Sequence, residues 1–352
     1  MEHERCAFDA VIPEPIPEAA SWCRRDFVKG LGALAGSAGL LGFDPRPAAA
    51  EPPPETTKLR LFQSPVTCVA PQYVAEGLLH GEGFTDVRYV KYPSETRVWP
   101  PDDLVSGEVD IALAFIPTDI VRVDTGEPIV ILAGSHIGCV ELVGGERVRS
   151  TLDLKGKTVG IANDERYFIS MFAAYVGLDP QKDINWVTRP MVGLAELLTE
   201  RKIDAFLTGP PAALELRKKK VGHVLVNITT DKPWADHFCC LVTSSKEFVR
   251  KNPVATKRAL RAIMKATDLC AAQPKRVARL MADKGLARYD TALQTLRELP
   301  YGKWREYNPE DSLRFYALRL HEVGIIKGSP QKIIAEGTDW RFLNELKNEL
   351  KA

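Results

Sequence analysis

Between residues 58 and 243, short apolar runs alternate with amphipathic stretches, and two further apolar runs, 138–143 and 238–243, interrupt the alternation. Strand followed by helix, repeated, calls for a mostly parallel sheet covered by helices. The first series reads as strand Lys58–Phe62, helix Ala70–His80, strand Val87–Tyr92, short helix Pro101–Ser106, and strands Asp110–Phe115 and Ile129–Ala133. The second reads as strands Lys157–Ala162, Ile184–Thr188, Asp204–Thr208 and Val224–Ile228, with helices Tyr167–Val176, Leu194–Glu200 and Ala212–Lys220 between them. Beyond Ser245 the pattern is helical: Pro253–Cys270, Lys275–Gly285, Asp290–Leu299, Pro309–Val323 and Trp340–Leu350. At 352 residues the chain has room for about two domains.

This order predicts a first lobe of 58–137 plus 244–352, interrupted by a second lobe of 144–237, with 138–143 and 238–243 as the strands that carry the chain across. In open α/β sheets, ligands bind outside the carboxyl ends of the strands, so a cleft is expected between the lobes. Loops at those ends nominate Ser64, Pro65, Thr67, Phe115, Ile116, Ser135 and His136 on the first lobe, and Asn163, Arg166, Tyr167, Thr208 and Gly209 on the second; Trp234 and His237 stand just before the return strand. Several precede a helix, whose free N–H groups favour anions and polar oxygens. Bland roles compete: Ser64 and Thr67 as helix caps, His136 as a core histidine.

The first 50 residues differ from the rest. Arg24-Arg25-Asp26-Phe27-Val28-Lys29 precedes the weakly apolar run Gly30–Phe43, and Ala48-Ala49-Ala50 follows. A cationic stretch, a short apolar run and a small-residue cleavage site are the parts of an export signal, and the paired arginines resemble the twin-arginine consensus. The mature chain is expected to start near Glu51 with a proline-rich tether, 51–57. It keeps 42 basic residues against 39 acidic ones, about +3, so charge offers no handle for nucleic acid. No window of 18 apolar residues is present for a membrane span.

Five cysteines remain after residue 50: Cys68, Cys139, Cys239, Cys240 and Cys270. Their odd number and lack of CxxC spacing predict neither a disulfide framework nor a zinc site. Cys239-Cys240 is read as strand residues facing opposite sides. Gly156-Lys157-Thr158 looks like the end of a phosphate-binding loop, but Thr151 stands where that loop needs glycine and the strand follows instead of preceding. No catalytic constellation, metal or cofactor is expected.

Four segments carry a resemblance over about residues 58–280: Ala70-Pro71-Gln72-Tyr73-Val74-Ala75-Glu76-Gly77, Leu104-Val105-Ser106-Gly107-Glu108-Val109-Asp110-Ile111, Leu152-Asp153-Leu154-Lys155-Gly156-Lys157-Thr158-Val159-Gly160, and Gly193–Leu198 running to Asp204-Ala205. In this order they resemble the SsuA/THI5-like (NMT1) family of periplasmic substrate-binding proteins. The resemblance implies a periplasmic-binding-protein-like α/β fold of two lobes. It implies an extracytoplasmic, monomeric component of an ABC importer that closes on a small polar or anionic solute such as a sulfonate, nitrate, taurine or a pyrimidine. Partners would be the permease subunits and, during export, the twin-arginine translocase. The family's eukaryotic branch makes the thiamine pyrimidine and carries a CCCFC segment; Phe238-Cys239-Cys240 lacks it.

Overall fold

The first strand, β1 (Lys58–Phe62), buries Leu59 and Leu61 and exposes Lys58 and Arg60, the period-two pattern of a strand with one face in a core. The computed structural model describes residues 51–350 except 65, 92–100, 163 and 192, so the export signal expected in residues 1–50 lies outside the described residues. The first series continues as α1 (Ala70–Gly81), β2 (Asp86–Val90), α2 (Pro101–Ser106), β3 (Ile111–Phe115), α3 (Ile116–Asp124) and β4 (Ile129–Ile137). The second is β5 (Glu141–Gly144), β6 (Lys157–Ile161), α4 (Glu165–Tyr175), β7 (Ile184–Thr188), α5 (Leu194–Thr199), β8 (Ala205–Thr208), α6 (Ala212–Lys219) and β9 (His223–Asn227). Then follow β10 (Phe238–Ser245), α7 (Lys246–Lys251), α8 (Pro253–Ala272), α9 (Pro274–Asp283), α10 (Tyr289–Glu298), α11 (Pro309–Glu322), α12 (Pro330–Gly337) and α13 (Arg341–Glu349).

Two five-stranded mixed sheets result, ordered β2-β1-β3-β10-β4 and β7-β6-β8-β5-β9. They share one plan. In the first, β1 lies parallel to β2 and β3, and a single antiparallel strand, β10, sits between β3 and β4; in the second, β6 lies parallel to β7 and β8, and a single antiparallel strand, β5, sits between β8 and β9. That antiparallel strand is the one by which the chain enters: β5 arrives from the first sheet and β10 returns from the second. The chain crosses at 138–140 and at 228–237; residues 238–243, expected as a hinge strand, lie inside β10.

The two lobes also repeat a local device. Asp110, just before β3, accepts the Arg60 N–H of β1 at 2.7 Å and the Arg60 guanidinium at 2.6 and 3.1 Å. Asp204, just before β8, accepts the Thr158 N–H of β6 at 2.9 Å and pairs with Arg147 at 2.7 Å. Each carboxylate is nearly buried, and charge-assisted bonds lock β3 to β1 in one lobe and β8 to β6 in the other.

Several elements depart from the sequence expectation. α3 occupies residues expected as a loop, with Pro117 in its first turn, where the missing N–H costs nothing. β4 runs on from Ala133 to Ile137, so Ser135 and His136 are strand residues. α7 and α12 were not anticipated, although each has its cap: Ser245 Oγ accepts from Phe248 N and Ser329 Oγ from Lys332 N. Residues 52–57 are tied down: the Glu55 carboxylate accepts the Val254 and Ala255 N–H groups at the start of α8, and Arg258 donates to the Pro52 carbonyl. Among the described residues no helix is long and apolar enough to cross a membrane.

The crossings meet at Gly138, whose φ of +72° favours glycine and whose added Cβ would sit 2.7 Å from the Thr229 Cα. Gly138→Ala is expected to cost at least ~1 kcal/mol and lower the thermal midpoint, since both the left-handed backbone and the Thr229 backbone must give. Asp119 of α3 is fully buried, and burial pushes its carboxyl up to about 7, although the Thr243 hydroxyl bond and the Arg122 charge act the other way. The folded chain therefore keeps a proton that the unfolded chain releases above the ordinary carboxylate range. Stability drawn from this group falls as pH rises towards about 7 and then levels off. Thermal melts should show Asp119→Asn gaining on the parent chain between pH of about 5 and about 8.

Candidate functional site

The carboxyl ends of β1, β3 and β4 open towards the crossings, as do those of β6, β8 and β9, because both crossings leave from such ends. This junction is where an α/β sheet offers a ligand site. The lobes are in contact across it. Thr67 N donates to the Pro210 carbonyl at 3.3 Å, and Thr118 Oγ1 donates to Asp164 Oδ2 at 2.9 Å. Burial raises the Asp164 carboxyl above its ordinary range. Phe115, ending β3, packs on Phe168 of α4 with centroids 4.9 Å apart.

On the first lobe, Ser64 is held at its backbone: its N–H donates to the Tyr73 hydroxyl, which donates to the Ser64 carbonyl, both at 2.9 Å. Neither Ser64 nor Thr67 serves as a side-chain cap; Thr67 Oγ1 instead meets Thr295 Oγ1 of α10 at 3.1 Å. Ile116 opens α3 and is buried. Ser135 and His136 are fully buried, and neither Ser135 Oγ nor His136 Nε2 has a hydrogen-bond partner. Burial pushes His136 down to about 4, so its ring is neutral.

On the second lobe, Thr208 ends β8 with Oγ1 buried and unpartnered. At Gly209 an added Cβ would lie 2.9 Å from the Cys139 carbonyl, so glycine lets the crossing chain pass. Tyr167 is half-buried in the first turn of α4. The neighbouring Arg166 is committed elsewhere, donating to Gln181 at 3.2 Å and lying 4.9 Å over the Trp186 ring. Pro65 and Asn163 lie outside the described residues.

The second crossing is walled by aromatic rings. Trp234 is buried against Phe172 of α4 and against Phe315 and Tyr316 of α11; His237 stacks on Phe315 at 3.9 Å. Tyr316 also meets Phe168 edge-on at 5.4 Å, and its hydroxyl is buried without a partner. Phe168, Phe315 and Tyr316 were missed in the sequence because nothing in a helical stretch marks which aromatic residue will reach another lobe. Beside the first crossing, Glu141, Arg217, Asn227, Thr229, Thr295 and Cys139 help line a cavity of about 260 Å³. Arg217 pairs with Glu141 and, at 2.6 Å, with Glu298 of α10, which joins the second lobe to the C-terminal helices.

The cysteines fall differently from the sequence reading. Between Phe238 and Leu241 the β10–β4 register shifts, placing Cys240 opposite His136 and leaving Cys239 as an extra residue. A bulge breaks the two-residue alternation, so Cys239 and Cys240 do not simply face opposite sides. Cys239 Sγ lies 3.2 Å from Cys139 Sγ, while the Cys68, Cys139 and Cys240 thiols and a His136 ring nitrogen all lie within 4.8 Å of one another. No spacing rule connects these positions; the fold brings them together, giving a donor set able to hold a metal ion.

The sequence model of the NMT1-like family matches residues 52–283. The nitrate/nitrite binding protein NrtA of Nostoc sp. is 24% identical over 305 residues, covering 77% of this chain and 68% of that protein. The bicarbonate-binding protein CmpA of Synechococcus sp. is 29% identical over 107 residues, 30% of this chain and 23% of that protein. Among solved structures, the periplasmic nitrate-binding protein NrtA from Synechocystis superposes with a TM-score of 0.68 at 18% identity, covering 85% of this chain and 90% of that one. The alkanesulfonate-binding protein SsuA from Xanthomonas axonopodis pv. citri, bound to MOPS, gives 0.63 at 15%, covering 83% of this chain and all of that one. These two likenesses place the chain in the periplasmic-binding-protein fold.

Proposed function

The chain belongs to the NMT1-like family, and on that premise we propose that it is the solute-binding component of an ABC importer, holding a small polar or anionic solute between its lobes. The observation that carries this reading is the set of buried hydroxyls without partners around the junction: Ser135 at the end of one sheet, Thr208 at the end of the other, and Tyr316 against the second crossing. Buried polar groups are almost always hydrogen-bonded, so unpartnered ones at a lobe junction invite a ligand that supplies the bonds. Nitrate, nitrite, bicarbonate and sulfonates, the ligand classes of the similar proteins, all present oxygens that accept from hydroxyls. The solute is bound and released unchanged; opening at the crossings lets it pass to the permease. The paired arginines and apolar run before residue 50 support export to the periplasm.

A thermal-shift screen of the purified chain with nitrate, nitrite, bicarbonate, an alkanesulfonate, taurine and a pyrimidine tests the reading. One solute should raise the midpoint in a concentration-dependent way. For that solute, Thr208→Val should weaken binding about 10- to 100-fold, the loss of one hydrogen bond to a charged partner. Without solute the same variant should melt no lower than the parent, because an unpartnered hydroxyl has been removed. A panel in which no solute shifts the midpoint overturns the proposal.

A further inference from the structure

We propose that Cys68, His136, Cys139 and Cys240 form a binding site for one divalent thiophilic cation, with Zn²⁺ the fitting ion. The four come from three parts of the fold: the one-turn helix 67–69 before α1, the end of the β4–β10 pair, and the first crossing. All are buried, and their donor atoms lie within 4.8 Å of one another. Tetrahedral zinc with Zn–S near 2.3 Å needs sulfurs roughly 3.8 Å apart, so a contraction of no more than about 1 Å assembles the shell.

The histidine is the second observation. His136 is wholly inaccessible to solvent, and its Nε2 has no hydrogen-bond partner. Its Nδ1 lies 3.3 Å from the Ile137 carbonyl, which suits a proton on Nδ1 and a lone pair on Nε2. A backbone carbonyl behind one ring nitrogen is how proteins orient a metal-ligating imidazole. Tyr301 packs edge-on against that ring at 5.2 Å and donates to the Cys68 carbonyl at 2.9 Å, supporting two ligands at once. Cys139 is one of three non-glycine residues at positive φ among those described, at +115°. Strain of that kind persists where the surroundings hold it and is common at binding sites.

Binding breaks three S–H bonds, forms three S–metal bonds and releases three protons to solvent, while the neutral imidazole donates its lone pair. Three thiolates with a dication leave one net negative charge in an apolar surround, whereas a monovalent ion would leave two, so the divalent ion is favoured. Cys139 also lines the cavity of about 260 Å³ beside Glu141 and Asn227, which gives an ion an approach from the junction. This site does not depend on the solute reading.

The test uses the full chain, reduced and stripped of metal, titrated anaerobically with Co²⁺ and then Zn²⁺ against a chelating indicator. Expected are one Co²⁺ per chain with thiolate charge-transfer absorption, displacement by one Zn²⁺, proton release and a raised thermal midpoint. Cys240→Ser and His136→Gln should each weaken Zn²⁺ binding at least ~100-fold, beyond the loss typical of an outer-shell change. Cys270→Ser, whose thiol lies outside the group, should bind like the parent. Circular dichroism identifies any variant that fails to fold, and the remaining one carries the comparison. Folded, reduced parent chain that shows neither absorption nor Zn²⁺ uptake overturns the proposal, as does uptake undiminished in the folded ligand variants. Solute binding measured on the same stripped sample separates this outcome from failure of the transport reading.

Discussion

Each sheet is completed by a strand that belongs, in chain order, to the passage from the other. β10 lies between β3 and β4, and β5 between β8 and β9, so neither sheet can pair fully until the chain has crossed. For the first sheet the closing strand comes about a hundred residues after its neighbour β4, with Val242 opposite Ala133. Such pairing carries the loop entropy of the whole second lobe. The constraint explains why the junction is so closely specified. Gly138 must clear Thr229, Gly209 must clear the Cys139 carbonyl, and Ile228 N bonds to the Val140 carbonyl. The Asp110 and Asp204 clamps then hold the parallel half of each sheet in register against the inserted strand.

With both crossings leaving from carboxyl strand ends, the junction gathers groups that no single sheet would hold. Hydroxyls of Ser135 and Thr208, aromatic walls from α4 and α11, and the thiols beside His136 are all placed by this topology. Most are buried, which makes each polar atom costly unless satisfied. In the proposed reading, selection of a ligand rests on a few hydrogen bonds at short range, consistent with a chain whose residues after 50 are close to charge balance and exert little long-range field.

Much of the fold was legible. Alternation of apolar runs marks the strands, and Gly107 and Gly177, both at positive φ, close helical stretches where expected. The limits are physical. Ser135 and His136 read as loop because β4 continues through Gly134, and a glycine in an apolar run looks like a strand end. The strand alternation that assigned Cys239 and Cys240 to opposite faces fails at a bulge, which leaves no mark in composition. Arg166 was nominated for its place before a helix, but its guanidinium turns to Gln181 and Trp186. Tyr316 comes from α11, whose amphipathic pattern shows which face is buried and not what it meets, and Tyr301 from the short turn 301–305 between α10 and α11, where no periodicity marks a buried side.

The central claim is that a small solute sits between the lobes at the strand ends and draws the crossings together. Hydrogen exchange followed by mass spectrometry, on the full chain with and without the solute that raises its midpoint, tests it most directly. Slowed exchange is predicted in 66–69, 115–119, 208–213 and both crossings, 138–140 and 228–237, with the outer edges β2 and β7 unchanged. Protection confined to a distant surface, or spread evenly over both sheets, would contradict it.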